Sequence, residues 1–216
     1  MFGKNSIAKI ENHSGDKLDI VQIFNTIQGE GFYSGHPAIF IRLGGCNLKC
    51  FFCDTEFEEF ENIPISKILQ KVKKEIGKDK IKLIVITGGE PLRQPIEKLV
   101  KLLLENNFIV QIETNGTIKR KLPKQVHICC SPKIINKEYQ INDELIEYID
   151  SFKFIISAQN NYQNIPSLNI TKPIYIQPMD EYNQEKNLIN QNLTIKLAKK
   201  HGYIISLQTH KYLDIE

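Results

Sequence analysis

The sequence predicts an α/β fold, an incomplete and laterally open parallel (β/α) barrel, on three observations. Short apolar runs recur with helix-spaced stretches between them, the alternation that parallel strands and crossover helices produce. Several connections are too short to hold a helix, and a complete eight-unit barrel takes about 250 residues, more than the 216 present. No repeat period, low-complexity tract or Pro/Gly/Ser-rich linker divides the chain, so residues 1–216 are expected to form one domain. That length lies within the range over which a single core keeps growing.

In chain order, Ala38-Ile-Phe-Ile-Arg-Leu43 is expected as a strand, followed by a cysteine-rich loop. Ile65 to Ile76 is then a helix, because Ile65, Ile68, Leu69, Val72 and Ile76 fall on one face at helical spacing. Leu83-Ile-Val-Ile-Thr87 is a second strand, and it runs through Gly88-Gly89-Glu90-Pro91 into a helix over Ile96 to Leu104. Further strands are expected at Phe108 to Ile112, Val126 to Cys130, Phe152 to Ile156, Ile174 to Ile176 and Tyr203 to Leu207. The remaining helices are expected at Asp143 to Ile149 and Gln184 to Lys200.

Apolar residues make up 41% of the chain and charged residues 25%, the range of a globular protein able to bury a core without disulfides or lipid. The net charge of +3 is the difference between 28 basic and 25 acidic residues, and no basic run marks a nucleic-acid arm. The N-terminal MFGKNSIAKIENHSGDK lacks a signal-peptide core, and no apolar stretch is long enough to span a bilayer. A cytoplasmic protein is therefore expected, with neither nucleic acid nor a membrane as partner. In a reducing compartment clustered cysteines bind metal or act in redox chemistry, and the odd total of five agrees.

Three of those cysteines, Cys46, Cys50 and Cys53, lie within eight residues directly after the first strand. A loop at the C-terminal end of a strand is where α/β proteins build their sites. Three thiolates there can hold three irons of a four-iron cluster and leave the fourth open to a small ligand. Zinc is the competing reading, although a structural zinc site closes a tetrahedron with a fourth Cys or His. The nearest such residue, His36, lies upstream, across the strand. Cys129 and Cys130 are adjacent in an apolar strand, so their side chains take opposite faces and at most one can face the loop. Both read as small buried hydrophobes.

The Cys-x3-Cys-x2-Cys pattern, with aromatic Phe52 before its last cysteine, resembles the radical S-adenosylmethionine (SAM) superfamily. The resemblance implies a [4Fe-4S] cluster on Cys46, Cys50 and Cys53, and a SAM molecule on the open iron that yields a 5′-deoxyadenosyl radical. It gives the expected barrel its type. Gly88-Gly89-Glu90-Pro91 matches the superfamily element beside the SAM amino group, where glycines let backbone approach a ligand. Alone, that tetrapeptide is a strand-to-helix turn with Pro91 at the first helical position. Glu113-Thr-Asn-Gly116 ends the next strand, where the superfamily often places groups for the ribose. Phe52, Gly89, Ser131, Pro132, Lys133, Gln177, Pro178, Met179 and Asp180 are the cofactor-binding positions that the resemblance implies.

Three further segments resemble one family within the superfamily, 7-carboxy-7-deazaguanine synthase. In Thr26-Ile-Gln-Gly-Glu-Gly31 the resemblance implies substrate contacts from Ile27, Gln28, Gly29 and Glu30. In Cys53-Asp-Thr55 it implies Mg2+ on the Thr55 hydroxyl, a cation that tolerates sparse protein ligation. Near the terminus, Gln208-Thr-His-Lys211 and the last residue imply substrate contacts from His210 and Glu216, although the family member taken as reference ends in proline. Arg42 is similar to the arginine that pairs with the substrate carboxylate, a task for its planar two-point donor. Thr87 joins the same substrate set.

The implied activity is that of a radical SAM carbon–nitrogen lyase in queuosine and 7-deazapurine biosynthesis. It contracts the ring of 6-carboxy-5,6,7,8-tetrahydropterin to 7-carboxy-7-deazaguanine, with loss of ammonia and regeneration of SAM. A flavodoxin-like or ferredoxin-like electron donor and a homodimer are implied with it. Among rivals, a glycyl-radical activase shares the cysteine spacing but lacks the QGEG, Cys-Asp-Thr and His-Lys set. A zinc-binding interaction module would need none of them.

Overall fold

The computed structural model describes residues 5–159, 162–167 and 171–215. The chain runs through β1 (Lys17–Ile27), β2 (Pro37–Leu43), β3 (Glu61–Pro64), α1 (Ile65–Ile76) and β4 (Leu83–Gly88). A 3-10 turn (Pro91–Arg93) leads to α2 (Glu97–Glu105), β5 (Ile109–Thr114), β6 (His127–Cys130) and a hairpin of β7 (Lys133–Ile135) and β8 (Glu138–Gln140). Then follow α3 (Asp143–Ile146), β9 (Ser151–Ile156), β10 (Ile174–Pro178), α4 (Gln184–His201), β11 (Ile204–Ile205) and α5 (Thr209–Leu213).

The main sheet has nine strands in the order β11-β10-β9-β6-β5-β4-β2-β1-β3. From β2 to β11 every pairing is parallel, and β1 and β3 add antiparallel strands at one edge. The two edge strands, β3 and β11, do not pair, so the barrel is open, as the chain length predicts.

Strand register sorts the side chains onto two faces. Ile39, Ile41, Ile84, Ile86, Val110, Ile112, Ile128, Phe152 and Phe154 are buried in one cluster with Ile68 and Val72 of α1 and Leu99 and Leu103 of α2. The other face is concave and carries Phe40 and Arg42, Thr87, Glu113, Lys153 and Ile155, and Gln177, all lining one cavity. Cys129 pairs with Glu113 and shares that face, while Cys130 belongs to the helix-side core.

The α1 span is as predicted, and α4 extends one residue past it, from an Asn183 side chain that accepts from the Lys186 N–H to a left-handed Gly202. Side-chain capping at one end and glycine at the other satisfy the orphan backbone groups of a helix. Pro91 opens a 3-10 turn rather than the helix, which begins at Glu97. The strand expected over Tyr203 to Leu207 pairs only at Ile204 and Ile205, and the helix at Asp143 stops at Ile146. Strand β1 escapes the sequence reading because a bulge between Ile20 and Gln22 breaks the two-residue alternation.

Candidate active site

The cysteine loop is held by its own backbone and by two neighbours. Gly44 N–H donates to Asp19 O (2.9 Å), Gly45 N–H to Phe57 O (2.9 Å), and Ala8 N–H to Cys46 O (2.7 Å). Buried Arg93 donates to Gly44 O (3.0 Å) and Gln94 to the same carbonyl (3.2 Å). The Asn47 side chain ties the loop to the end of β5 by donating to Thr117 Oγ1 (2.8 Å) and accepting from Asn115 Nδ2 (2.9 Å).

Gly88 and Gly89 are required by the protein before any ligand. A side chain at Gly88 would lie 2.2 Å from Leu43 O, and one at Gly89 2.0 Å from Gly45 O. The Glu90 carboxylate is turned away from the cavity wall and accepts from Leu92 N (2.9 Å), Thr114 Oγ1 (2.7 Å) and Asn115 N (2.7 Å).

A cavity of about 490 Å³ opens at the C-terminal ends of the parallel strands. Cys46, Cys50, Phe52, Cys53 and Thr55 line it, as do Ile27, Gln28, Gly29, Glu30, Arg42, Thr87 and Gly89. Ser131, Lys133, Gln177, Pro178, Met179, Asp180 and His210 complete the expected positions on its wall. Pro132 is buried and does not line the cavity. Glu216 lies outside the described residues.

The donor set fits a cluster with one open iron. All three thiols face the same cavity, and three thiolates leave one iron of four without a protein ligand. Burial pushes the Cys46 thiol up to about 12, partly countered by the Leu48 N–H that it accepts at 3.4 Å. Burial raises Cys50 and Cys53 as well, so deprotonation of this loop calls for a compensating cation. Thr55 Oγ1 lies 3.4 Å from Asp54 Oδ1 on the same wall, an oxygen pair of the kind that a hard cation takes. Arg42 donates to Gln22 Oε1 (3.4 Å), stacks 5.1 Å above the Phe24 ring and lines the cavity.

Below the thiols the cavity has a polar floor, which sequence reasoning missed in part. Lys153 Nζ binds the Glu30 carboxylate and lies 3.4 Å from Glu113 Oε2. Gln28 Nε2 donates to Glu113 Oε1 (2.8 Å), Gln111 Nε2 to the same oxygen (3.1 Å), and Gln177 Nε2 to Glu30 Oε1 (3.2 Å). Burial alone would raise the Glu30 carboxyl, but the adjacent Lys153 ammonium more than offsets it and holds the group below its ordinary range. Burial would likewise depress Lys153, yet Glu113 and Glu30 hold its ammonium well above the usual lysine range. A signal did exist in sequence: Gln111, Glu113 and Lys153 interrupt strands that are otherwise apolar.

The C-terminal segment closes one side. Thr209 donates through N–H (3.2 Å) and Oγ1 (3.0 Å) to Gly29 O. Lys211 Nζ binds Asp180 Oδ2 (2.7 Å), lies 3.9 Å from Asp54 Oδ2, and sits 5.1 Å from the Tyr182 ring centre.

An open parallel barrel with three thiols on the loop after one strand, all facing one cavity, defines a radical SAM enzyme. Residues 40–158 match the family described as the Radical SAM superfamily. The chain is 50% identical to 7-carboxy-7-deazaguanine synthase of Rickettsia prowazekii (strain Madrid E), over 100% of this chain and 96% of that one. It is 34% identical to the enzyme of the same name from Rhodospirillum rubrum, over 100% of both chains. The crystal structure of QueE from Escherichia coli shares the fold, with a TM-score of 0.73 over 88% of this chain and 93% of that one, at 24% identity. The chain belongs to the 7-carboxy-7-deazaguanine synthase family.

Proposed function

We propose that the chain converts 6-carboxy-5,6,7,8-tetrahydropterin to 7-carboxy-7-deazaguanine with loss of ammonia, as a carbon–nitrogen lyase in queuosine and 7-deazapurine biosynthesis. The observation that carries this is one cavity with a thiol rim at one end and the Gln28–Glu30 floor at the other, Arg42 standing on its wall. Cys46, Cys50 and Cys53 would hold a [4Fe-4S] cluster, and Thr55 a Mg2+ ion. When bound, cluster and SAM supply a hydrogen-abstracting radical, SAM being regenerated at the end of the cycle.

The chain's own residues position and shield. Arg42 offers two parallel N–H donors to the substrate carboxylate. Gln28 and Glu30 meet the polar edge of the pterin from below, with His210 beside Gly29, where a Cβ would touch its Nδ1 at 2.3 Å. Phe24 and Phe40 form the apolar wall that flanks the ring. Holding the ring against the radical source in this way replaces an encounter by a fixed near-attack geometry. Gly89, Ser131, Lys133 and Met179 are the SAM side of the same cavity, and Gln177, expected on that side, reaches the floor at Glu30.

The whole chain acts as one radical SAM domain, with its N-terminal segment contacting substrate. It works in the cytoplasm as a homodimer, with a flavodoxin-like or ferredoxin-like electron donor. No helix among the described residues is long and apolar enough to cross a membrane.

The test is anaerobic purification with iron and sulfide analysis, then incubation with the pterin, SAM, Mg2+ and a reductant. The expected result is iron with labile sulfide, and 7-carboxy-7-deazaguanine formed without net loss of SAM. Cluster-dependent SAM cleavage without that product would point instead to an activase, and zinc without sulfide to an interaction module.

A further inference from the structure

Lys153 projects from the centre of β9 into the cavity, is 5% exposed, and contacts neither the thiols nor Thr55. Its neighbours Phe152 and Phe154 point to the helix-side core, so alternation alone would have allowed any apolar residue at 153. A buried ion pair is poor value for stability, since a hydrophobic replacement of similar volume is often neutral or better. A task in the site is the more economical reason for a buried ammonium.

The floor around it is arranged to receive a ligand. Two carboxylates, Glu30 from the loop after β1 and Glu113 from β5, share this one ammonium. The amides of Gln28, Gln111 and Gln177 all donate into those carboxylates, and Gln208 donates to Glu30. Cys129 from β6 and His210 from α5 are the other titratable groups that face Glu30. With the Cys129 thiol protonated, the two carboxylates outnumber the one ammonium, and the lone pairs not taken by these donors remain at the floor. A 2-amino-4-oxopyrimidine edge, with its adjacent N–H donors, complements such a surface.

Resting on the pterin reading above, we propose that Lys153 is a positioning residue of the substrate site, which keeps Glu30 charged and aimed as an acceptor for the N–H edge of the heterocycle. Without the ammonium, two buried carboxylates would face one another, and like charges at that range cannot both stay ionised. Protonation would turn Glu30 from an acceptor into a donor and set it against the ligand's own N–H groups.

The experiment compares Lys153→Met, Lys153→Arg and the double variant Lys153→Met with Glu113→Gln in the pterin assay between pH 5 and 9. Each is reconstituted to the same iron content. Lys153→Met should raise KM by about tenfold or more at pH 7, the scale of a lost charge-assisted hydrogen bond, with a smaller change in kcat. It should also move the acid limb of kcat/KM upward. Lys153→Arg should keep that limb near the wild-type position, and Glu113→Gln in the Met background should bring it back, because the repelling carboxylate is gone. A wild-type KM and acid limb in Lys153→Met, or no recovery in the double variant, overturns the proposal. If Lys153→Met does not fold, Glu113→Gln alone carries the test: Lys153 then serves Glu30 only, and an acid limb that moves upward overturns it. Wild-type enzyme that forms no product from the pterin overturns the functional reading, and this proposal with it; wild-type turnover beside an unaffected Lys153→Met overturns this proposal alone.

Discussion

Three glycine-to-alanine substitutions separate the two reasons a glycine can be required. Gly202 caps α4 at φ +73° with nothing within 4 Å of an added Cβ, so Gly202→Ala meets only the left-handed backbone penalty, about 1 kcal/mol. Gly88 has φ +126°, and its added Cβ would lie 2.2 Å from Leu43 O and 2.3 Å from Leu43 N. Gly88→Ala therefore meets a comparable backbone penalty of ~1–3 kcal/mol and must also part β2 from β4. That parting strains the Gly89 N–H to Leu43 O bond of 3.1 Å and its neighbours at ~1 kcal/mol each, giving about 3–5 kcal/mol in all. At Gly89 the penalty is steric only: its Cβ would lie 2.0 Å from Gly45 O and 3.0 Å from Cys46 N. Relief there requires movement of the backbone that carries Cys46, so Gly89→Ala should lose about 2–3 kcal/mol together with most of its reconstituted iron. Urea unfolding of the apo protein followed by circular dichroism gives the stabilities, and iron and sulfide per chain after anaerobic reconstitution give the cluster. A Gly88→Ala loss within ~1 kcal/mol of that of Gly202→Ala, or wild-type iron in Gly89→Ala, would refute the reasoning.

Cys50→Ala should abolish cluster assembly and turnover together, and wild-type iron content in that variant would sink the ligand assignment. Thr55→Ala should keep the cluster while weakening the Mg2+ dependence of activity; an unchanged Mg2+ titration counts against Thr55 as a ligand. Arg42→Lys should raise KM for the pterin more than it lowers kcat, since an ammonium cannot reproduce a two-point contact; unchanged KM contradicts the assignment. Lys211→Met should loosen α5, read as faster amide exchange over residues 209–213. The pH dependence follows from the pair that it breaks. Burial opposes it, but the Lys211 hydrogen bond holds Asp180 below 3.8 and Lys211 is held above 10.5, also against burial. Each group thus supports docking between those limits, and wild-type exchange should approach that of Lys211→Met only as the pH falls through the lowered Asp180 value or rises through the raised Lys211 value. Equal exchange at pH 7 refutes the view that the Lys211–Asp180 pair holds α5 in place.

What could be read from sequence was local. The cysteine spacing and the helices α1 and α4 each depend on residues within about one turn or one strand of one another, where spacing carries the physics. The floor does not. Gln28 and Glu113 lie 85 positions apart, Glu30 and Lys153 123, and Glu30 and Gln177 147, so only strand order and register bring them together. A parallel strand covered on both faces reads as a continuous apolar run. Gln111 and Glu113 in β5 and Lys153 in β9 break that rule on one side only, and this one-sided polarity marks the concave face as a site.

The distance along the chain between the two motif loops also has a physical meaning. Strand β1 runs antiparallel to β2, and its last residue, Ile27, pairs with the first of β2, Pro37. The Gln28–Glu30 loop therefore leaves at the N-terminal end of the parallel strands, and the cysteine loop at their C-terminal end. Between them stands β2, seven residues long, or ~20 Å at about 3.3 Å per residue. Both loops nevertheless line one cavity. The chain after β1 therefore folds back into the barrel, where Gln28 reaches Glu113 near the end of β5 and Glu30 reaches Lys153 of β9. Either loop alone would line only part of that cavity. A deletion within β2 would draw the floor toward the rim and, by the two-residue period of a strand, could also turn Arg42 from the cavity into the core.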